Sequence, residues 1–283
     1  MPELPEVEVL ARHLRPALTG KTIRAVGVRR EKVLQPTQPA RFRKELAGAK
    51  FLGLQRRGKY LLFELRHAGS RENFFLLGHL GMTGRMFLAA KGEALPKHAA
   101  VVLELGAQNF IYEDTRYFGR LTLDLSAVEK LGPEPWDEKF TAEVFHRALK
   151  TSRQPVKVKL LDQSLVAGVG NIYASEALFR AGISPRRAAN KLTLAQAEKL
   201  LRCVREVLQE AIDCGSTIPL NFSAHKSDGL FYYGRADGAG DFYTERLRVY
   251  DRAGQPCVQC GAPIQRLVQA ARSTFFCARC QKG

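Results

Sequence analysis

At Gly132-Pro133-Glu134-Pro135 the hydrophobic pattern of the chain changes, and the expected fold class follows from that change. Two prolines and a glycine ahead of a polar segment indicate a linker, which we place at residues 132–138. Before the linker, after one opening helix, the sequence is typical of β-strands, and after it the sequence is typical of α-helices. We therefore expect an α+β protein with one domain at 2–131 and a helical domain at 139–245.

The part before the linker opens with a helix, since Pro5 suits a first helical turn and apolar residues recur at helical spacing from Val7 until Gly20 ends the pattern. Short runs rich in β-forming residues follow, separated by Gly, Asp and Asn, and they predict a β-sandwich or barrel. The runs lie at 59–65, 73–77, 85–88, 100–105, 110–113 and 121–125.

The part after the linker has helical periodicity at 141–150, 156–161, 172–181 and 194–212. Thr193 and Gln196 have the spacing of a capping box at the start of the last of these helices. Residues 217–241 are rich in Gly, Ser and Asp, which indicates a loop. A tail with four cysteines follows at 246–283.

The charge of the chain points to a polyanionic partner. Its 44 Lys and Arg residues outnumber 28 Asp and Glu, for a formal charge of +16. Residues 41–59 and 246–283 each hold seven basic residues and one acidic residue, which suggests one basic surface per domain. Nucleic acid is the commonest partner of such proteins, although a basic protein that is merely soluble remains an alternative on charge alone.

The sequence contains no apolar run near the roughly 18 residues of a membrane span. The N-terminus has neither a basic region nor an apolar core of a secretory signal. We therefore expect a cytoplasmic protein without a membrane partner, in which disulfides are disfavoured.

The tail contains two C-x-x-C pairs, Cys257/Cys260 and Cys277/Cys280, separated by sixteen residues. This spacing predicts a tetrahedral four-cysteine zinc site, and because such a site has no open position the zinc is structural. A redox dithiol or two disulfides is the alternative. Between the pairs we expect a hairpin that carries Arg266 and Arg272 near its tip and contacts the DNA backbone.

Six blocks resemble the bacterial formamidopyrimidine-DNA glycosylases, in family order over nearly the whole chain. Leu4, Met82, Arg116 and Phe118 favour the branch that acts on purines over the related endonuclease VIII branch. The blocks are Pro2-Glu3-Leu4-Pro5-Glu6-Val7-Glu8, Arg57-Gly58-Lys59-Tyr60-Leu61, His79-Leu80-Gly81-Met82-Thr83-Gly84, Asp114-Thr115-Arg116-Tyr117-Phe118-Gly119, Gly168-Val169-Gly170-Asn171-Ile172-Tyr173-Ala174-Ser175-Glu176 and Arg272-Ser273-Thr274-Phe275-Phe276-Cys277.

The resemblance implies a β-sandwich domain, a helix-two-turns-helix domain with a lesion-recognition loop at 217–241, and a zinc-finger hairpin. It also implies an activity, a bifunctional DNA glycosylase and AP lyase. Such an enzyme excises 8-oxoguanine and formamidopyrimidines in base excision repair and nicks the strand by β,δ-elimination. The expected partner is damaged double-stranded DNA, bound by a nucleoid-associated bacterial monomer with one zinc ion and no small-molecule cofactor.

The chemistry of Pro2 is consistent with this activity. A small second residue permits the removal of Met1, which leaves Pro2 with a secondary amine. This amine titrates at about pH 8, so at neutral pH a fraction of it is unprotonated and nucleophilic. Attack on the sugar C1′ can give an iminium ion, which acidifies the neighbouring C–H and allows strand cleavage. The alternative is that Pro2 is an ordinary second residue.

The resemblance assigns roles to three charged residues. Glu3 would transfer a proton to the opening sugar as a general acid, Glu6 would belong to the active-site shell, and Lys59 would hold a phosphate and help polarise the base. The alternatives are helix N-terminal anions for the two glutamates and a surface lysine for Lys59.

The resemblance also assigns DNA contacts. An extruded base leaves a gap, which Met82 would fill while Phe118 wedges between bases and Arg116 bonds the orphaned cytosine. The alternative for Met82 and Phe118 is core packing. Asn171 would grip phosphates at the helix opened by residues 168–170, or act only as an N-cap, and two further backbone contacts would be His79 and Arg272.

Two other functions remain open from the sequence. A non-catalytic zinc protein could keep the fold and only bind DNA. An enzyme with the same chemistry could act on oxidised pyrimidines.

Overall fold

The computed structural model describes residues 2–215 and 246–282. They form two compact units. The first unit comprises Pro2 and Glu6–Glu129, and the second comprises Glu3–Pro5, 130–215 and 246–282. Met1 and the predicted lesion-recognition loop 217–241 lie outside the described residues.

The first unit contains eight of the ten strands of the described chain. All six predicted β runs are confirmed as strands, and α1 ends two residues before Gly20 as expected. The elements are α1 (Leu4–Leu18, begun in the second unit), β1 (Ala25–Val28), a 3₁₀ helix (Glu31–Leu34), α2 (Pro39–Leu46), β2 (Ala49–Arg57), β3 (Tyr60–His67), β4 (Asn73–His79), β5 (Gly84–Ala90), β6 (Ala99–Glu104), β7 (Gln108–Asp114), β8 (Arg120–Thr122) and α3 (Ser126–Glu129).

The helix α2 lies in a region where we expected only strands. Its sequence PARFRKEL has four charged residues, and only Phe42 and Leu46 are buried. Two apolar residues four apart are too few to show helical periodicity in a sequence scan, although Pro39 at the first turn is a helix-start signal.

Two antiparallel four-stranded sheets build the first unit. Their strand orders are β2-β3-β4-β8 and β1-β6-β7-β5. Side chains from both sheets meet in one core, where Phe63 of β3 packs edge-on against Phe110 of β7 with ring centroids 5.6 Å apart. Because every other residue of a strand faces the same side, each sheet contributes one apolar face, and the predicted sandwich is confirmed.

The second unit is helical and ends in a two-stranded hairpin. The capping box of Thr193 and Gln196 is present at the start of the last helix. Its elements are α4 (Ala142–Lys150), α5 (Val156–Leu160), α6 (Asn171–Ala181), α7 (Leu194–Asp213), β9 (Gln265–Gln269) and β10 (Arg272–Phe276). Among the described residues no helix is both long and apolar enough to cross a membrane.

Candidate functional site

The four tail cysteines form one cluster. Their Sγ atoms all lie within 4.8 Å of one another. Cys257 and Cys280 are separated by 3.8 Å and Cys260 and Cys277 by 3.5 Å, far beyond the roughly 2.05 Å of a disulfide. Four thiolates about 2.3 Å from one tetrahedral zinc ion would be roughly this far apart. The cluster therefore fits a structural zinc ion, and the disulfide alternative is wrong.

The hairpin between the cysteine pairs presents Arg272 at its tip. Arg272 pairs with Gln269 directly beside the two-residue turn and is exposed. Arg266 lies at the other end, opposite Phe275, and its guanidinium donates to Ser273 Oγ. Our expectation that both arginines lie near the tip is therefore wrong for Arg266.

The carboxylate of Glu3 lies at the N-terminus of α6. Oε1 accepts from the Ile172 backbone N–H at 2.9 Å and Oε2 from that of Tyr173 at 3.4 Å. A helix N-terminus attracts anions through its unsatisfied N–H groups. We expected a phosphate at this position, but in the second unit the anion that the α6 amides hold is Glu3.

Two glycines allow Glu3 and Leu4 to lie this close to the N-terminus of α6. A Cβ on Gly170 would overlap the carboxyl group of Glu3, and a Cβ on Gly168 would overlap the side chain of Leu4. Gly170, not Asn171, is the N-cap, so the cap interpretation of Asn171 is wrong. The Gly-x-Gly motif thus serves the close contact of residues 3–4 with the helix.

Asn171 is bonded within the second unit to Lys157, a residue that sequence reasoning missed. The Lys157 ammonium is fully buried and donates to Asn171 Oδ1 at 2.6 Å, Ser273 O at 3.0 Å and Thr274 Oγ1 at 2.7 Å. Asn171 Nδ2 also donates to Ser273 O, at 2.9 Å. Burial lowers the pKa of Lys157 to about 8, and the charge of Glu3 opposes this. The only feature of the sequence that indicates burial of Lys157 is its position between two apolar residues.

Glu176 is a second buried charge without a predicted role. Its carboxylate accepts from the backbone N–H groups of Arg248, Val249 and Tyr250 at 2.8–3.0 Å. These three donors lie at the start of the tail. Glu176 therefore anchors the tail to α6.

The four residues predicted to be catalytic are all buried. Pro2 is buried, and the exposed fractions of Glu3, Glu6 and Lys59 are 2, 0 and 6%. Lys59 lies in the two-residue turn between β2 and β3, one residue before the strand in which we expected it. Its burial excludes the interpretation as a surface lysine.

His79 ends β4 in a half-buried position. Burial, together with the charges of Lys59 and Arg120, lowers its pKa to about 4, so that the ring is neutral at pH 7. The Gly81 backbone N–H donates to Nδ1 at 3.2 Å, which leaves the hydrogen on Nε2. His79 can therefore give a phosphate a hydrogen bond but no charge.

Two loops of the first unit expose Met82 and Phe118, with exposed fractions of 44 and 51%. The Arg116 guanidinium lies 4.8 Å from the centroid of the Phe118 ring. Core packing, the alternative for Met82 and Phe118, is wrong. Large apolar side chains exposed beside a cation are suited to a base stack next to phosphates.

Comparisons with known proteins give three family models that match successive parts of the chain. The family model of the formamidopyrimidine-DNA glycosylase N-terminal domain matches residues 1–121. The model of the formamidopyrimidine-DNA glycosylase H2TH domain matches residues 131–222, and that of the zinc finger found in FPG and IleRS matches residues 254–283.

Relatives match over the whole length. The formamidopyrimidine-DNA glycosylase of Thermus thermophilus is 44% identical over 290 residues, covering 99% of this chain and 98% of that one. That of Desulfitobacterium hafniense is 41% identical over 289 residues, covering 99% and 100%.

Solved structures of Lactococcus lactis Fpg are also similar. A complex of the wild-type protein with DNA containing N7-benzyl-Fapy-dG has a TM-score of 0.86 and 34% identity, with 100% of both chains covered. A complex with DNA containing an abasic site has the same score and identity, with 99% and 100% covered. This chain therefore belongs to the formamidopyrimidine-DNA glycosylase family.

Proposed function

We propose that this chain is a DNA glycosylase and AP lyase that removes oxidised purines from double-stranded DNA in base excision repair. The relatives named formamidopyrimidine-DNA glycosylase and the Lactococcus lactis complexes with DNA containing N7-benzyl-Fapy-dG or an abasic site support the substrate class. The domain limits that we predicted, action as a monomer and the lack of a small-molecule cofactor belong to the same proposal.

The observation that carries the proposal is the burial of the N-terminal functional groups. Lys and Glu are almost never fully buried unless they are paired or functional. Here Pro2, Glu3 and Glu6 are each buried within one short segment, and Lys59 is buried in the turn between β2 and β3. A protein that only binds DNA has no need of buried carboxylates next to Pro2 in the sequence, because phosphates are bound by cations and by N–H or O–H donors.

In the proposed reaction, Pro2 is the nucleophile after Met1 has been removed. Its nitrogen forms a bond to C1′, the C1′–N bond to the base breaks with both electrons on the base, and the C1′–O4′ bond opens to leave an iminium ion. The Pro2 N–H proton is transferred to the base, and a proton from Glu3 is transferred to O4′. Loss of the C2′ proton then expels the 3′ phosphate, and the subsequent loss of the C4′ proton expels the 5′ phosphate.

The remaining residues bind and shape the DNA. Lys59 holds a phosphate at the lesion, while Glu6 completes the shell of the nucleophile. Met82, Arg116 and Phe118 occupy and stabilise the gap in the base stack. Contacts to the DNA backbone come from His79 as a neutral donor, from Asn171 and from Arg272 at the hairpin tip.

Borohydride trapping tests the chemistry. Zinc-loaded protein whose intact mass shows the loss of Met1 should become covalently linked to a duplex with 8-oxoguanine opposite cytosine, and Pro2→Gly should abolish the link. Glu3→Gln should slow base release by about 10²–10⁴-fold. Lys59→Met should abolish strand cleavage, whereas Lys50→Met, an exposed lysine in the same basic stretch, should not.

Two outcomes would contradict the proposal at different levels. Processed protein that binds the duplex but neither cuts it nor becomes linked is a non-catalytic DNA-binding protein. Faster cleavage of thymine glycol than of 8-oxoguanine would keep the chemistry and make the purine assignment wrong.

A further inference from the structure

Asp114 ends β7 with a carboxylate that is completely buried. A buried carboxylate is unfavourable unless hydrogen-bond donors surround it. Thr83 Oγ1 donates to it at 2.5 Å and the backbone N–H groups of Arg116 and Gly119 donate at 3.1 and 2.8 Å, with the Tyr112 hydroxyl at 3.5 Å. The carboxylate is thus satisfied almost entirely by two loops.

These two loops carry the exposed side chains described above. Thr83 directly follows Met82, while the Arg116 and Gly119 amides flank Phe118 in the other loop. Asp114 Oδ1 accepts from both loops, from Thr83 and from Arg116, and Oδ2 accepts from Gly119. One side chain therefore joins the bases of both loops.

The loop backbones also touch directly. A Cβ on Gly81 would overlap the backbone of Phe118 and Gly119, and a Cβ on Gly119 would overlap the Tyr112 hydroxyl and the His79 carbonyl. Only glycine permits this approach at either position. The two loops thus share one tightly packed base within the first unit.

Tyr117 adds a strained position to this base. Its φ of 54° is in the left-handed region, which a residue with a side chain adopts at a cost. Its hydroxyl accepts from Arg30 Nε at 3.2 Å and lies 3.4 Å from His98 Nδ1. Such strain persists where the surroundings hold the conformation, and it is typical of functional loops.

We infer that Asp114 is a positioning residue that joins the Met82 and Arg116–Phe118 loops into one rigid unit for insertion into the base stack before DNA binds. This inference rests on the proposed function. Ordering two separate loops during insertion would cost conformational entropy, and a shared base removes that cost. The effect belongs to extrusion of the lesion, and it leaves the bond chemistry of Pro2 unchanged.

Thr83→Val tests the inference, because it removes the hydroxyl that ties the Met82 loop to Asp114 and keeps the size of the side chain. Thr83→Ser is the conservative variant, and Thr19→Val, at an exposed threonine of the same unit, is the matched control. Asp114→Asn is a second variant, since an amide would oppose one of the N–H donors with its own NH₂ group.

Three readouts separate extrusion from chemistry. Single-turnover excision of 8-oxoguanine requires extrusion, whereas strand cleavage at a pre-formed abasic site has no base to unstack. The fluorescence rise of 2-aminopurine placed beside the lesion reports opening of the stack.

We expect Thr83→Val to slow excision and the fluorescence rise by about 10- to 100-fold, with abasic-site cleavage and borohydride trapping within about twofold of wild type. Thr83→Ser should restore excision. Equal slowing of excision and abasic-site cleavage, or no slowing of either by Thr83→Val, would overturn the role of Asp114. Failure of wild-type protein to trap abasic DNA would instead overturn the proposed function.

Discussion

A neutral histidine makes the first unit sensitive to acid. The pKa of His79 is lowered from 6.5 to about 4 by burial, with Lys59 and Arg120 contributing. Between these values the unfolded chain binds a proton that the folded chain does not, so the free energy of unfolding falls as the pH drops from 6.5 to about 4. We expect this residue to account for a loss of about 3 kcal/mol across that window.

This contribution of His79 to the free energy of unfolding can be measured by denaturant unfolding of wild type and His79→Gln at several pH values. The stability of the variant relative to wild type should rise as the pH falls through the window. Parallel curves for the two proteins would contradict the assignment of a depressed pKa to His79.

Glu176 shows how one buried acceptor can hold a segment. Glutamine at this position would oppose one of the three backbone N–H donors with its own NH₂ group, leaving buried groups unsatisfied. We expect Glu176→Gln to lower the free energy of unfolding of the second unit by about 2 kcal/mol. The fluorescence of Trp136, the only tryptophan of the chain and a member of this unit, can follow its unfolding in urea.

Glu198→Gln is the matched control for Glu176→Gln, because Glu198 is an exposed glutamate on α7. It should change stability by less than about 0.5 kcal/mol. Equal effects of both substitutions would mean that the three hydrogen bonds of Glu176 contribute little.

At the scale of elements, the turn of the zinc hairpin is strained. Ala270 and Ala271 form the two-residue connection between β9 and β10 with φ values of 47° and 58°. Positive φ at both positions is typical of a type I′ turn, which favours Asn-Gly. We expect the double substitution Ala270→Asn and Ala271→Gly to stabilise the hairpin by about 1 kcal/mol in total, since Asn and Gly adopt the left-handed conformation at lower cost than alanine.

Because folding of this segment and zinc binding are linked, the same substitution should reduce zinc transfer to a competing chelator by about fivefold at equilibrium. Ala253→Gly, at an exposed position outside the hairpin, is the control and should not reduce it. Greater zinc transfer from the double variant would contradict the interpretation of the turn as strained.

At the scale of the whole molecule, the charge of +16 predicts DNA binding that depends steeply on salt. Each phosphate neutralised by Lys or Arg releases counterions, so about six contacts would give a slope of log K against log salt near −5. Fluorescence anisotropy with a duplex containing a stable abasic analogue measures this slope. Arg272→Gln should make it less steep by about one. A slope near zero, or one that Arg272→Gln leaves unchanged, would contradict backbone contact by the hairpin.

Local patterns in the sequence were sufficient for the zinc site and for most of the secondary structure, although they did not identify β1, α2 or β2. Two C-x-x-C pairs identify four ligands by spacing alone, because each pair occupies one turn. Likewise, the strands and the capping box of α7 depend on residues close to one another in the chain. The family resemblance added the candidate residues Pro2, Glu3 and Lys59, which no local pattern distinguishes.

The contacts between groups that are distant in the chain became known from the three-dimensional structure. The α6 amides bind the carboxylate of Glu3, some 170 positions away in the chain, and Lys157 reaches the hairpin more than 110 positions later. Asp114 joins two loops through a side chain and two backbone amides. These contacts follow from burial, since a buried charge takes whichever donors or acceptors the fold brings to it, and no periodicity or spacing in the sequence encodes that choice.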